Sequence, residues 1–213
     1  MYYIIFSPTK RYNNDMNELS PLFIQKAKKL KLLLTDVDGV MTNSQLSFFT
    51  GEDGVTREIK HFESLDGMGL MYLTYCGVET GIASRGSSDT LAWWAKILGM
   101  KYLFYNTPVK HKALVYLQEH FNIKPEETAF IGDDLIDLGM MSRVGLPLAV
   151  ANSVPEAKKL ALYTSPRHGG NAAVRDIAEQ ILRARGQWDK VVQDNTDGTF
   201  TTVKNQIHIV KGL

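Results

Sequence analysis

From Lys31 onward the chain alternates between two hydrophobic patterns. Lys31–Thr35, Glu79–Ala83, Tyr102–Tyr105, Thr128–Ile131 and Leu146–Val150 are short, largely apolar runs with the length of buried strands. Between them lie stretches with helical spacing: Pro21–Leu30, Gly67–Cys76, Ser88–Gly99, Lys110–Phe121, Asp134–Val144, Val154–Leu160 and Ala172–Arg185. This alternation predicts an α/β fold whose mostly parallel sheet is flanked by helices. One interval breaks the rhythm. Gln45–Phe49 and Thr56–His61 alternate polar with apolar residues around Thr50-Gly-Glu-Asp-Gly54, which predicts a small β-hairpin inserted after the first strand.

The pattern divides the chain into three parts. Residues 1–20 are polar around Asn13-Asn14-Asp15 and read as an irregular N-terminal extension; residues 21–192 hold the alternating domain, with the hairpin at about 45–61. Residues 193–213 form a C-terminal tail whose Ile207-His-Ile-Val210 is readable as a strand or as a mobile segment. A chain of 213 residues that is 44% hydrophobic supports one sizeable core. Lys and Arg number 24 against 23 Asp and Glu, so no net field recruits nucleic acid or an anionic membrane. No apolar run approaches the roughly 18–20 residues of a membrane span. The apolar start, Met1-Tyr-Tyr-Ile-Ile-Phe6, lacks the basic lead and cleavage site of a secretory signal. A cytoplasmic, soluble protein is expected. The single cysteine, Cys76, excludes an intrachain disulfide and reads as a packed thiol.

In parallel α/β sheets, reactive groups collect just beyond the carboxyl ends of the strands. Asp36 and Asp38 follow the first strand in Asp36-Val-Asp38-Gly-Val-Met-Thr42. Two carboxylates at that spacing can serve one hard cation, or divide the work of nucleophile and general acid/base; a strand running into an Asp-rich surface turn has the same composition. Ser84, Arg85 and Gly86 follow Glu79–Ala83, and Gly132-Asp133-Asp134-Leu-Ile-Asp137 follows Thr128–Ile131. Lys112 lies in the first turn of the helix after Tyr102–Tyr105. Gathered acidic groups repel unless a cation lies among them, and carboxylate oxygens suit Mg²⁺ working with a substrate phosphate. Ser84 as donor and Lys112 as a point positive charge fit that phosphate.

These four motifs, in this order, resemble those of the haloacid dehalogenase superfamily, whose Rossmann-like fold matches the predicted alternation. From about Leu32 to Gly186 the chain resembles more narrowly the small-capped 3-deoxy-D-manno-octulosonate (KDO) 8-phosphate phosphatases and their relatives acting on nonulosonate 9-phosphates. That similarity includes Phe62-Glu-Ser-Leu-Asp66-Gly67-Met-Gly69 and Gly169-Gly170-Asn171-Ala-Ala-Val174-Arg175. The resemblance implies a Mg²⁺-dependent phosphatase of a sugar-acid phosphate. Asp36 would be nucleophile and metal ligand. Asp38 would be general acid/base and give its carbonyl to the metal. Ser84 and Lys112 would hold the phosphoryl group, and Asp133 would be the second carboxylate ligand. Asp134 and Asp137 would orient groups behind these, and Arg85, Gly86, Asp66 and Gly67 would contact substrate. It also implies a homotetramer in which the hairpin packs between subunits and a neighbour helps close the site.

The chain departs from the family where sugar is held. Ser84-Arg85-Gly86 stands for Thr-Gly-Arg, Leu65-Asp66-Gly67 for Arg-Asp-Gly, and Gly169-Gly170-Asn171-Ala172 for Gly-Gly-Arg-Gly. Arg85, Arg167 and His168 are the cations placed to compensate, and each is equally readable as a surface residue. The sugar is therefore left open, whereas the phosphoryl machinery is whole. Two other readings use the same residues. A receiver-type phosphoacceptor module is usually much shorter and lacks Asp-x-Asp-Gly. A catalytically weak sugar-phosphate binding or scaffold subunit would not need the complete acidic set.

Overall fold

The computed structural model describes residues 19–86 and 89–213. The expected extension at 1–20 therefore lies almost wholly outside the described residues. Leu32–Thr35 forms β1, with all four side chains shut off from solvent. A strand buried on both faces needs a layer of helices on each side. Leu32 and Leu34 point into one layer with Phe104 and Phe130, while Leu33 points into the other with Ile82, Leu103 and Ile131. The two-residue period of the strand thus serves two cores at once.

The chain runs α1 (Pro21–Lys29), β1, the antiparallel pair β2 (Ser47–Thr50) and β3 (Thr56–Ile59), α2 (Ser64–Tyr75), β4 (Glu79–Ala83), α3 (Asp89–Ile97), β5 (Tyr102–Tyr105) and α4 (Lys112–Phe121). It continues with β6 (Thr128–Ile131), α5 (Leu138–Met141), β7 (Leu146–Ala149), α6 (Pro155–Leu160), β8 (Tyr163–Thr164), α7 (Ala173–Ala184), α8 (Trp188–Thr196) and β9 (His208–Lys211). Among the described residues, seven strands form one sheet in the order β8-β7-β6-β1-β4-β5-β9, every pair parallel. Helices α1, α2 and α7 supply one layer, through Phe23 and Ala27, Leu70 and Leu73, and Val174, Ile177 and Ile181. Helices α4, α5 and α6 supply the other, through Leu114 and Leu117, Met140, and Ala157. Ala173, Val174, Ile177, Ala178, Ile181 and Leu182 form one apolar stripe on α7, as three-and-four spacing requires.

Local chemistry sets the element ends. Ser20 caps α1 by accepting the Phe23 N–H at 3.1 Å, and Pro21 takes the first helical position. The helix expected over Asp134–Val144 is instead a 3₁₀ turn, Leu135–Asp137, followed by the single helical turn of α5. Asp134 accepts the Leu135 N–H at 2.7 Å, and Asp137 turns inward to take the N–H groups of Asp133 and Asp134. Those bonds tighten the first turn beyond an α-helix. Residue 193 lies inside α8, and the segment beyond it returns to the sheet as β9, pairing Tyr102 with His208 and Tyr105 with Lys211. Among the described residues, no helix is long and apolar enough to cross a membrane.

Candidate active site

Strand order reverses at β1: the chain first builds outward through β4 and β5, then returns to build β6, β7 and β8 on the other side. The carboxyl end of β1 is thus the switch point, where a crevice opens. Asp36 continues the ladder past β1, its N–H donating to Ile131 at 2.9 Å. The next residues turn sharply, with the N–H groups of Val40, Met41 and Thr42 all converging on the Val37 carbonyl. Gly39 makes the turn at φ +94°, and a Cβ there would lie 2.1 Å from Oδ2 of Asp133. Glycine is therefore demanded twice, by conformation and by the neighbouring carboxylate. The Gly169-Gly170 element packs on the same turn, since a Cβ on Gly169 would lie 1.9 Å from the Gly39 carbonyl oxygen.

A buried lysine organises the centre, and it is Lys110. Its Nζ lies 2.7 Å from Oδ1 of Asp36 and 2.6 Å from Oδ1 of Asp137, with side-chain exposures of 1%, 6% and 0%. The other oxygen of Asp137 accepts the N–H groups of Asp133 at 2.9 Å and Asp134 at 3.2 Å. One carboxylate thereby fixes both the lysine and the loop after β6. Lys112, expected in this role, is exposed in the first turn of α4. The physical reason is register. Ala113, Leu114 and Leu117 form the buried stripe of α4, and position 110 extends that stripe backward by one turn, whereas 112 falls on the wet face.

Asp36, Asp133 and Asp137 each offer an oxygen within 4.8 Å of the others. Three carboxylates facing one ammonium leave the cluster short of positive charge. Burial, reinforced by Asp36 and Asp137, pushes the Asp133 carboxyl up to about 7. Burial also raises Asp36, against the pull of Lys110. Lys110 itself stays above its usual value, because Asp36 and Asp137 outweigh the cost of burial. Oδ1 of Asp133 is buried without a hydrogen-bond partner among the described residues. An unpartnered carboxylate oxygen inside an acidic cluster at a strand end fits a hard divalent cation.

Ser84 follows β4 directly and is buried, with its Oγ accepting the Gly86 N–H at 3.0 Å. It lines a cleft of about 480 Å³ with Asp36, Asp38, Arg85, Gly86 and Asp133. Asp38 is 43% exposed and meets Lys60, whose Nζ lies 2.5 Å from its Oδ1 and 3.0 Å from Oε1 of Glu58. Burial works against the Lys60 charge, yet the bonds to Asp38 and Glu58 leave it above its ordinary value. Lys60 was not among the residues expected from sequence. It follows a β-hairpin of alternating polarity, and only the fold brings it back over 22 residues to the Asp38 carboxylate.

The remaining expected residues divide. Arg85 and Gly86 line the cleft, while Asp134 is exposed at its rim, capping the 3₁₀ turn. Asp66 and Gly67, expected against substrate, are enclosed between helices instead. Asp66 accepts the Arg175 N–H at 2.8 Å, tying α2 to the start of α7, and Gly67 lies against Trp94 and Leu98. Arg167 and His168 are exposed on the loop beside the Gly39 turn and do not line the cleft.

The chain is similar in sequence and fold to known hydrolases. The sequence model of the haloacid dehalogenase-like hydrolases matches residues 103–176. The 3-deoxy-D-manno-octulosonate 8-phosphate phosphatase KdsC of Haemophilus influenzae is 32% identical over 181 residues, spanning 85% of this chain and 97% of that enzyme. The Moraxella catarrhalis KDO 8-phosphate phosphatase, solved with magnesium ion, phosphate ion and KDO, superposes with a TM-score of 0.76 at 33% identity. That match covers 85% of this chain and 99% of the other. The Yersinia pestis phosphatase gives 0.73 at 34%, over 79% of this chain and 89% of that one. The fold and site are those of a phosphoric monoester hydrolase, and the chain belongs to the haloacid dehalogenase-like hydrolases, in the family of the KDO 8-phosphate phosphatases.

Proposed function

We propose that this chain is a Mg²⁺-dependent phosphatase of a sugar-acid phosphate, KDO 8-phosphate or a nonulosonate 9-phosphate, working through an aspartyl-phosphate. The observation that carries the reading is the buried Asp36, held by Lys110 at 2.7 Å beside Asp133, whose Oδ1 has no partner. The carboxylates of Asp36 and Asp133 and the Asp38 carbonyl would hold Mg²⁺. When bound, that ion neutralises charge on the phosphoryl oxygens. Ser84 and Lys110 hold the phosphoryl group against Asp36.

An Asp36 carboxylate oxygen attacks phosphorus, and the bond from phosphorus to the sugar oxygen breaks as Asp38 gives that oxygen its proton. Asp38 then takes a proton from water. The water oxygen attacks phosphorus, which releases inorganic phosphate and restores the Asp36 carboxylate.

The hairpin exposes Leu46, Phe48, Phe49, Val55 and Ile59, an apolar surface that suits burial against further copies of the chain in a homotetramer. Phosphate release from a panel of sugar phosphates, ranked by kcat/KM, tests the assignment. Sugar-acid phosphates should rank first, with activity lost in EDTA and restored by Mg²⁺. Full activity after EDTA and dialysis would remove the metal from the mechanism, and hexose phosphates ranking first would remove the substrate class.

A further inference from the structure

We propose that Lys60 is a positioning residue for proton transfer, holding Oδ1 of Asp38 so that Oδ2 is the oxygen that meets the leaving group and the attacking water. The inference rests on the phosphatase reading, which gives Asp38 its role. The geometry separates the two oxygens of that carboxylate. Oδ1 is taken by the Lys60 ammonium at 2.5 Å. Oδ2 faces the cleft: a Cβ built on Gly86 would lie 3.8 Å from it and 3.5 Å from the Ser84 Oγ. Oδ2 therefore looks onto the same space as the hydroxyl that would hold phosphate.

Lys60 is unusual in its own surroundings. It follows β3 in a hairpin whose strands are largely exposed, yet its side chain is only 5% exposed. Burying so long a side chain sacrifices rotamer freedom, and an ordinary surface ion pair returns little. Glu58, 28% exposed, holds the same ammonium at 3.0 Å from the strand side. The lysine is thus fixed from behind and aimed forward. A 43% exposed aspartate without such a partner would sample several rotamers, and proton transfer needs its oxygen within hydrogen-bond reach of the moving proton.

The test is a double-mutant cycle on kcat and KM for phosphate release from KDO 8-phosphate, using Lys60→Met, Lys60→Arg and Asp38→Asn, with circular dichroism and light scattering on each. Lys60→Met should lower kcat about 10- to 100-fold with KM held within about threefold, the loss expected when a catalytic group is misplaced rather than removed. Lys60→Arg should regain part of it. In the Asp38→Asn background, Lys60→Met should cost less than about threefold more, because the group it positions has lost its chemistry. A full multiplicative loss there would overturn the proposal, as would wild-type kcat in Lys60→Met. A raised KM at unchanged kcat would make Lys60 a substrate ligand instead. Should Lys60→Met fail to fold, Lys60→Arg carries the same cycle. Wild-type turnover by Asp38→Asn would overturn the phosphatase mechanism itself, which separates the two failures.

Discussion

Asp36 and Asp38 stand two residues apart, and each meets a lysine that is itself gripped by a second carboxylate. Lys110 lies between Asp36 and Asp137, and Lys60 between Asp38 and Glu58. The first trio is sealed among the sheet and its helices, no member more than 6% exposed. The second reaches in from the inserted hairpin, and its carboxylates are 43% and 28% exposed. Asp36, the nucleophile of the proposed mechanism, is therefore part of the folding core, and it cannot shift without disturbing β1 and β6. Asp38, the acid/base of the proposed mechanism, is tied to a peripheral element that can be altered separately. Two neighbouring carboxylates have been given different mechanical supports.

Breaking the buried trio should have the largest effect. Lys110→Met leaves Asp36 and Asp137 buried without their cation, a loss of about 3–5 kcal/mol in urea unfolding, and phosphate release should fall to background. Lys112→Met should match the wild type in both measurements. The reverse order of effects would return the phosphate-holding role to Lys112. On the hairpin side, Asp38→Asn should keep fold and metal binding while slowing turnover by about 10²–10⁴. Unchanged turnover would mean that Asp38 moves no proton.

A smaller effect is expected from the support rather than the group. Phe48→Asp with Phe49→Asp leaves every cleft residue in place but puts a charge on each of the two exposed faces of β2. Mass by light scattering should drop, and kcat/KM should fall roughly tenfold as the hairpin loses its packing. A wild-type protein that scatters as a monomer with full activity would detach the hairpin from assembly.

The mildest test uses a buried carboxylate that has no lysine at all. Burial pushes Asp66 up to about 6, against the hydrogen bond from the Arg175 N–H. Its folded value exceeds the unfolded value of about 4, so its contribution to stability is complete below pH 4 and is lost as pH rises through 6. Asp66→Asn keeps an acceptor for Arg175 and removes the charge. The Tm of the variant relative to wild type should therefore rise by a few degrees between pH 4 and pH 7. A difference constant across that range would show that Asp66 does not charge there.

Most of the architecture was legible because strands buried on both faces leave short apolar runs, and Glu79–Ala83, Tyr102–Tyr105 and Thr128–Ile131 form strands at those bounds. The clustered carboxylates were legible because Asp36 follows β1 directly and Asp133 and Asp137 stand in the loop and turn just after β6. What escaped depends on longer-range placement. Lys110 and Lys112 flank the start of α4 within one tetrapeptide, and only continuation of the buried stripe through Leu114 and Leu117 separates them. Lys60 reaches Asp38 through a hairpin whose direction no periodicity specifies. The two-residue β8 and the nine-residue α8, which buries Val191 alone among its side chains, left no apolar pattern long enough to read. Asp66 reads as a site residue because it stands in a motif, whereas the fold buries it between two helices, accepting the Arg175 N–H.

The strand at the far edge of the sheet has a consequence during synthesis. β9 covers β5, and the paired residues Tyr102 and His208 lie roughly a hundred positions apart along the chain. At about 5–20 residues per second, β5 leaves the ribosome on the order of 5 to 20 s before the strand that shields it. Throughout that interval the nascent chain presents an uncovered strand edge beside Tyr102 and Phe104, the kind of template on which chains cross-pair. The yield of folded protein should accordingly respond to translation speed and chaperone supply more than its final stability would suggest.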